Sequence, residues 1–539
     1  MVRGRIVRTA GGRRMLRVAL ALRGYLFDTD ARLAKRTVRW ARRLQSANQI
    51  ADAIVVYKDA ERRSRDPAHK LAFSVRRTRL ELKAGILPED LWDRIRDFLQ
   101  VADDLVAAGD LTGAGERLHH AFGLAFHRTL HLEDRRSALA DDPGGFLAPL
   151  RASAAFAAVE SPTRRTQTPR AATIGRPRRL LFVVYALPGN GHFVEGIIAD
   201  YRATPGVEVR TIELKEFSDS PWRARPLDLV TRRLHQSLAS DPVTLPDEVR
   251  EVFDWADTIF VDWAHIALPW VSLLPEVTAR LVVRFHSYEA FTPHPLYADW
   301  SAIDDVVFVS PHIRALVEAT VPALLAGPRL HTIPNRNLFT PYRRPKLPSA
   351  NHTLGMVGWN SVTKDPAWTL ELLEELLRHD DRWRLRLLGH DFSGSSLTGS
   401  ASRYGDDVER RLDALGAAVE RPGYCTDMPE ALRHVGVVVS SSRREGTHEG
   451  LLQGTASGAW PVVRDWPYVA RWGGARTMVR DDWVVDTPKQ AAAALLNVAE
   501  DPVRFGLLRE EAAAWVASRY DWSVVRPALD ALLLDGAKA

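Results

Sequence analysis

The chain has 539 residues, 46% of them hydrophobic and 26% charged, a balance typical of soluble globular proteins and too long for one core, so about three domains are expected. Its 73 Lys and Arg against 67 Asp and Glu leave a net charge of only +6, which argues against a nucleic-acid partner. A single cysteine, Cys425, excludes an internal disulfide and a cysteine-based metal cage and fits a reducing, cytoplasmic setting, and with no run of 18 apolar residues no membrane span is expected.

The opening is basic and amphipathic: Arg3, Arg5, Arg8, Arg13, Arg14, Arg17 and Arg23 surround Leu16, Val18, Leu20 and Leu22. Arg17 and Arg23 break the apolar stretch a signal peptide would need. The segment reads as a solvated helical face, with peripheral contact to the anionic inner face of a membrane as the alternative. Residues 1–160 read as a helical region throughout. Leu33, Trp40, Leu44, Ala47, Ala51 and Ile54 keep to one stripe, and Leu91, Ile95, Phe98, Ala102 and Leu105 to another. Pro88-Glu89-Asp90 is a start signal for the second, and Asp28-Thr29-Asp30 is read as a helix N-cap rather than a metal site. Residues 161–179, polar, basic and dotted with proline, are a linker.

Strands then alternate with helices. Expected strands at 180–186, 207–214, 258–262, 281–286, 306–310 and 330–333 make a first Rossmann-like domain over 180–340. A second set at 354–359, 383–388, 419–421, 437–439, 460–463 and 483–485 makes another over 350–515. Several of these strands are continuous apolar runs, as parallel sheets covered on both faces require. The fold class is therefore α/β, two Rossmann-like domains behind an all-helical N-terminal region, with a helical tail over 516–539.

Each half has a glycine turn after its leading strand. The first is Pro188-Gly189-Asn190-Gly191-His192; the second is Gly358-Trp359-Asn360-Ser361-Val362-Thr363-Lys364. Such turns let backbone approach a ligand and open onto helix N-termini, where N–H groups and the dipole favour an anion. The stretch 437–465 repeats that logic as strand, polar turn, helix and strand. Its turn carries Arg443, Arg444 and Glu445, with Gln453 eight residues beyond Glu445. A carboxylate beside cations and free N–H donors can hold the hydroxyls of a sugar whose phosphates rest on those donors. Thr447-His448-Glu449-Gly450 is not a zinc motif, since Leu452 stands where a second histidine would be needed. Its backbone suits a diphosphate, with His448 or Glu449 reaching donor hydroxyls. His286 ends an apolar strand, at the edge where open parallel sheets bind ligands.

Glu445-Gly446, Gln453, Ala456-Ser457-Gly458 and Pro461-Val462-Val463 together resemble the signature of the retaining GT-B glycosyltransferases of family 4 (group 1), over residues 178–535 or so. The resemblance implies two domains facing across a cleft, the first on the acceptor side and the second holding a nucleotide-sugar donor, with the tail helix crossing back to the first. Glu445 would contact the donor sugar. Gln453, standing where the family has Glu, would contact the ribose, a contact an amide can partly supply. Gly358 to Lys364 resembles the segment whose lysine reaches the donor diphosphate. Trp359 and Asn360 do not supply the arginine usual near its start, which leaves Arg443 or Arg444. His286 would face the donor sugar, and Ile333-Pro334-Asn335 resembles the run that closes the first domain. The expected catalytic set is Glu445, His286 and Lys364. Gly189, Gly191, Gly358, Asn360, Arg443, Arg444, Gly446, Thr447, His448, Glu449 and Gln453 would bind donor. No cofactor and no metal are implied, and the acceptor is a glycan, a lipid-linked sugar or a small molecule. A nucleotide-sugar epimerase on the same plan and a non-catalytic member that binds a nucleotide sugar or a partner remain as alternatives.

Overall fold

The computed structural model describes residues 30–47, 49–133, 135–163, 175–187, 192–217, 223–239, 247–274, 277–392 and 399–535. The arginine-rich opening, Asp28-Thr29, most of the 161–179 linker and the turn containing Gly189 and Gly191 lie outside the described residues. Residues 30–94 form one compact unit, and residues 95–392 with 401–535 another.

In the first unit the expected single stripe is divided between two helices, Asp30–Ser46 and Ile50–Arg63. Ala41, Leu44, Ala53, Ile54 and Tyr57 close on Phe73 and Leu80 of a third helix, Pro67–Lys83. Ala47 and Ala51, placed on the buried face by periodicity, are exposed, because the chain turns between the helices and the helical phase restarts there. Asp66 caps the third helix by accepting from the Ala68 N–H at 2.8 Å, and Pro67 occupies the first turn, where its missing N–H has no partner to lose. Buried Arg77 meets Glu61 at 3.0 Å, Glu81 at 2.8 Å and Asp90 at 2.6 Å.

The second unit contains two parallel sheets. The first is built from β1 (Arg178–Val184), β2 (Val207–Glu213), β3 (Thr258–Asp262), β4 (Arg280–Phe285), β5 (Asp305–Phe308) and β6 (Arg329–Thr332), in the order β2-β1-β3-β4-β5-β6. The second comprises β7 (Thr353–Val357), β8 (Arg384–Leu388), β9 (Val419–Gly423), β10 (Val437–Ser440), β11 (Trp460–Arg464) and β12 (Val484–Val485), in the order β12-β11-β10-β7-β8-β9. Every pairing is parallel. In each sheet the strand order reverses once, between β1 and β3 and between β7 and β10. Loops leaving those neighbouring strands diverge to opposite faces and leave a crevice at the carboxyl edge.

β3, β4, β5 and β10 are buried along their whole length, which is why apolar residues dominate them, with the charges they do carry at Asp262, Arg280, Arg284 and Asp305 paired inside. Strand ends fall up to two residues from the expected ones. β1 starts at Arg178 because its charged start is anchored: the Arg179 N–H donates to Asp257 at 3.0 Å, and Arg178 Nη2 donates to Thr258 Oγ1 at 3.0 Å. The helical segment after residue 95 closes on the first sheet's cover. Helix Leu111–Ala125 approaches helix Pro226–Leu238 so closely that a Cβ on Gly115 would sit 2.3 Å from Thr231 Oγ1. The last helix, Trp522–Leu533, lies in the first sheet's core, where Trp522, Val525, Leu529 and Leu532 join Leu180 and Phe182. Tyr201 Oη donates to Asp530 at 2.8 Å and Arg280 Nη1 to the Leu532 carbonyl at 2.6 Å, so the chain's end is fastened to its first sheet. No helix among the described residues is long and apolar enough to cross a membrane.

Candidate functional site

At the second sheet's reversal, the loops leaving β7 and β10 lie side by side. β7 ends at Val357; Gly358, with a φ of +68°, then turns the chain sharply, and Trp359 drops into the core against Phe392, leaving Asn360 half-buried in the turn. The Arg443 N–H donates to the Thr363 carbonyl at 2.7 Å, tying the two loops together. Lys364 Nζ thereby reaches Glu445 Oε1 at 2.6 Å, and Ser442 Oγ donates to the same oxygen at 2.5 Å. Burial alone would raise the Glu445 pKa, but the Lys364 ammonium outweighs it and holds the carboxyl at about 2. Glu445 is therefore a fixed anion that accepts hydrogen bonds.

Beyond it the chain passes Gly446 and Thr447 to His448, which adopts a left-handed φ of +51° and launches helix Glu449–Ala456. A β-carbon-bearing residue in that region is strained, and the strain sits where the helix presents its N–H groups. His448 Nδ1 is 2.6 Å from Ser440 Oγ and 3.8 Å from Glu445. Burial pushes its pKa down to about 4, so the ring is neutral. Gln453 is half-buried on the same helix.

The first sheet's loops press on this turn. A Cβ on Gly446 would lie 3.3 Å from Ser287 Cβ, next to His286. His286 is buried at the end of β4, its Nδ1 3.5 Å from Glu289 Oε1 and its ring 5.1 Å from Trp263. Asn335 Nδ2 donates across to Glu449 Oε1 at 2.9 Å, and Thr447 Oγ1 donates to the same oxygen at 2.6 Å. His312, which follows the Ser310-Pro311 helix start after β5, puts Nε2 2.9 Å from the Glu445 carbonyl oxygen and Nδ1 3.0 Å from Thr477 Oγ1. Sequence reasoning missed His312, although the rule that singled out His286, a histidine just beyond a parallel strand, applies to it equally.

The two arginines offered for the diphosphate differ. Arg443 is forked onto Asp365 at 2.9 and 3.1 Å, and Arg464 adds a third contact at 2.6 Å, so Arg443 is committed to an internal carboxylate. Arg444 has no ion pair among the described residues. It stacks 4.5 Å from the Phe291 ring and Nη1 is 3.5 Å from the Ser287 carbonyl, while burial lowers its pKa to about 10. Arg284 is structural, forked onto Asp262 at 2.7 and 2.8 Å.

A second opening lies at the first sheet's reversal. A cavity of about 760 Å³ is lined by residues just past β1 and β3, among them Tyr185, Trp263 and His265, and by Tyr288 beside the Ser287 contact. Trp263 carries a φ of +64°, a conformation a bulky residue rarely takes. Behind it His265 Nε2 and His294 Nε2 are 3.0 Å apart, and burial keeps both histidines below their ordinary pKa.

No model of a known protein family matches the sequence, and no curated protein matches it. Solved structures do. A glycosyltransferase from Rickettsia africae aligns at 14% identity over 67% of this chain and 100% of its own, with a TM-score of 0.48. HepE of Anabaena, solved with UDP and glucose, aligns at 15% identity over 66% of this chain and 98% of its own, with a TM-score of 0.46. TarM aligns at 16% identity with a TM-score of 0.39, over 51% of this chain, and this chain spans only 54% of TarM. Likeness at such identities concerns fold alone, and the fold here stands on the strand orders and on the loops that meet between the two sheets. The architecture is GT-B.

The buried histidines set an acid limit. His131, His312 and His448 are each pushed down to about 4 by burial, against an ordinary 6.5. The unfolded chain therefore takes up these protons first as pH falls, so the stability they contribute is complete above about pH 6.5 and drains away toward pH 4. The melting temperature is expected to fall steadily from pH 7 to pH 5, before ordinary carboxylates titrate, and His131→Gln to flatten that slope. Scanning calorimetry across this range checks it; a level profile contradicts it.

Proposed function

We propose that this chain transfers a sugar from a nucleoside diphosphate sugar to an acceptor hydroxyl, with retention and without a metal. The observation that carries the reading is the Lys364–Glu445 pair at the reversal point of the second sheet, beside a helix N-terminus and against the first sheet's loops. In this reading the diphosphate lies on the N–H groups opening helix Glu449–Ala456, with Lys364 and Arg444 answering the charge that grows as it leaves. Ionised Glu445 accepts from donor sugar hydroxyls and neutral His448 exchanges hydrogen bonds beside it. Gln453 meets the ribose, and His286 approaches the sugar from the first lobe. The acceptor enters from the cavity beside Trp263. Its hydroxyl oxygen bonds to the anomeric carbon as the bond to the diphosphate oxygen breaks, on the same face, and its proton passes to the departing phosphate. Pressing Gly446 against Ser287 keeps water from the activated donor.

The test is a panel of nucleotide sugars. A donor at about 100 times its Kd adds about 2.7 kcal/mol to the folded state, so one member is expected to raise the melting temperature clearly. That member should then release nucleoside diphosphate only when acceptor is present, and do so in EDTA. A panel with no thermal shift overturns the reading, and a sugar altered without acceptor replaces transfer by epimerisation.

A further inference from the structure

The net charge of +6 hides an asymmetry: residues 1–94 carry 23 Lys and Arg against 10 Asp and Glu, whereas residues 95–539 carry 50 against 57. In the first unit the acids are largely committed. Asp59 holds Arg62 and Arg63 at 3.1 and 2.9 Å, Asp66 holds His69 at 2.9 Å, and Glu61, Glu81 and Asp90 surround buried Arg77. Among the described residues, five cations gather in one place. Helices Asp30–Ser46 and Pro67–Lys83 border a groove of about 830 Å³ whose rim carries Lys35, Arg39, Arg42, Arg43 and Arg76. All five are exposed, and none forms an ion pair among the described residues. The floor between them is apolar, made by Ala34, Val38, Ala72 and Phe73.

We infer that this groove docks the protein on an anionic bilayer, the rim taking phosphate-bearing lipid headgroups and the floor the first carbons beneath them. Charge complementarity selects an anion. The apolar floor selects an amphiphile, because a nucleic-acid backbone is charged along its length and gains nothing from Ala34, Val38 and Ala72. The spacing of the rim follows one side of the helix: Lys35, Arg39 and Arg43 recur at intervals of four, and Arg42 lies three from Arg39. Arginine and lysine stems lie along apolar surface while their heads reach phosphate, which suits a headgroup layer. This docking is independent of the donor site.

The experiment uses the full chain and sedimentation with vesicles of phosphatidylcholine alone or with about one-third phosphatidylglycerol. The protein is expected to bind the anionic vesicles and leave the neutral ones in solution, more weakly as salt rises. Each neutralised arginine should weaken partitioning about fivefold, so Arg39→Gln, Arg42→Gln and Arg76→Gln together should weaken it about a hundredfold. Being exposed, the three should leave the circular dichroism spectrum and melting temperature unchanged, and each is also made singly so that a misfolded triple variant cannot hide the result. Val38→Ser should weaken binding without changing charge. Equal binding to neutral vesicles overturns the inference, as does a triple variant that binds like the native chain. A duplex oligonucleotide that displaces the vesicles overturns it in favour of nucleic acid.

Discussion

In the proposed reaction, Glu445→Gln is expected to slow glycosyl transfer by about a hundred- to a thousandfold while leaving the fold in place. The carboxylate sits where β7 and β10 part, held by Lys364 at 2.6 Å and Ser442 at 2.5 Å. An amide of the same shape keeps the side chain in position but loses the negative charge, so it grips donor hydroxyls less well and no longer fixes Lys364. The effect should appear mostly in kcat if Glu445 acts as the anomeric carbon gains positive charge, and mostly in KM if it only holds the ground state. Stability should fall without unfolding the chain. The Lys364 side chain is 26% exposed, so an unpaired ammonium there can turn partly to water, and the loss is expected at about 1–3 kcal/mol. That contribution has a definite pH range. The folded pKa of about 2 lies below the ordinary 4.5, so the carboxylate stabilises the fold above about pH 4.5 and ceases to as pH falls through 2. Steady-state kinetics beside thermal melts read both effects. A variant with native kcat and KM would remove Glu445 from the site.

Much of this arrangement was legible because it rests on local chemistry. A glycine after an apolar strand, a lysine six residues on, and a carboxylate-glycine pair before a short helix are all readable in order along the chain. Their convergence follows from one topological fact, that β7 and β10 are neighbours, which the βα alternation made expected. What the order of residues does not show is partners brought from a distance. Arg443 reads as available to a diphosphate because nothing in its own stretch shows that Asp365, 78 residues earlier, takes the Nε and Nη2 edge of its guanidinium. His312 was overlooked because its value lies in a backbone oxygen 133 residues away. Trp359, noted only as a missing arginine, is a core residue with no exposed surface, and its ring fills the space the turn leaves. In the helical unit the apolar residues were found, but the turn that splits the first stripe carries no proline or glycine and does not interrupt the periodicity.

Asp365→Ala is expected to be the most damaging single change near the site, lowering stability by about 3 kcal/mol. Asp365 is buried and left-handed, with a φ of +49°, at the first turn of helix Pro366–Leu377. Its carboxylate takes Arg443 at 2.9 and 3.1 Å, Arg464 at 2.6 Å and the Tyr404 hydroxyl at 2.7 Å. Burial would raise its pKa, yet these donors hold it below the usual carboxylate range. Removing it takes from two guanidinium groups the carboxylate they share, and alanine is also less at ease in the left-handed region than aspartate. The side chains of Arg443 and Arg464 are 19% and 24% exposed, so water relieves part of the cost and the lower end of the range for a broken buried pair applies. Asp365→Asn keeps the backbone conformation and the Tyr404 contact and should lose less. The decisive measurement is a double variant: if the damage comes from stranded positive charge, adding Arg443→Met to Asp365→Ala restores part of the lost stability in urea unfolding. If the two losses simply add, the carboxylate acts mainly through its bonds to Arg464 and Tyr404.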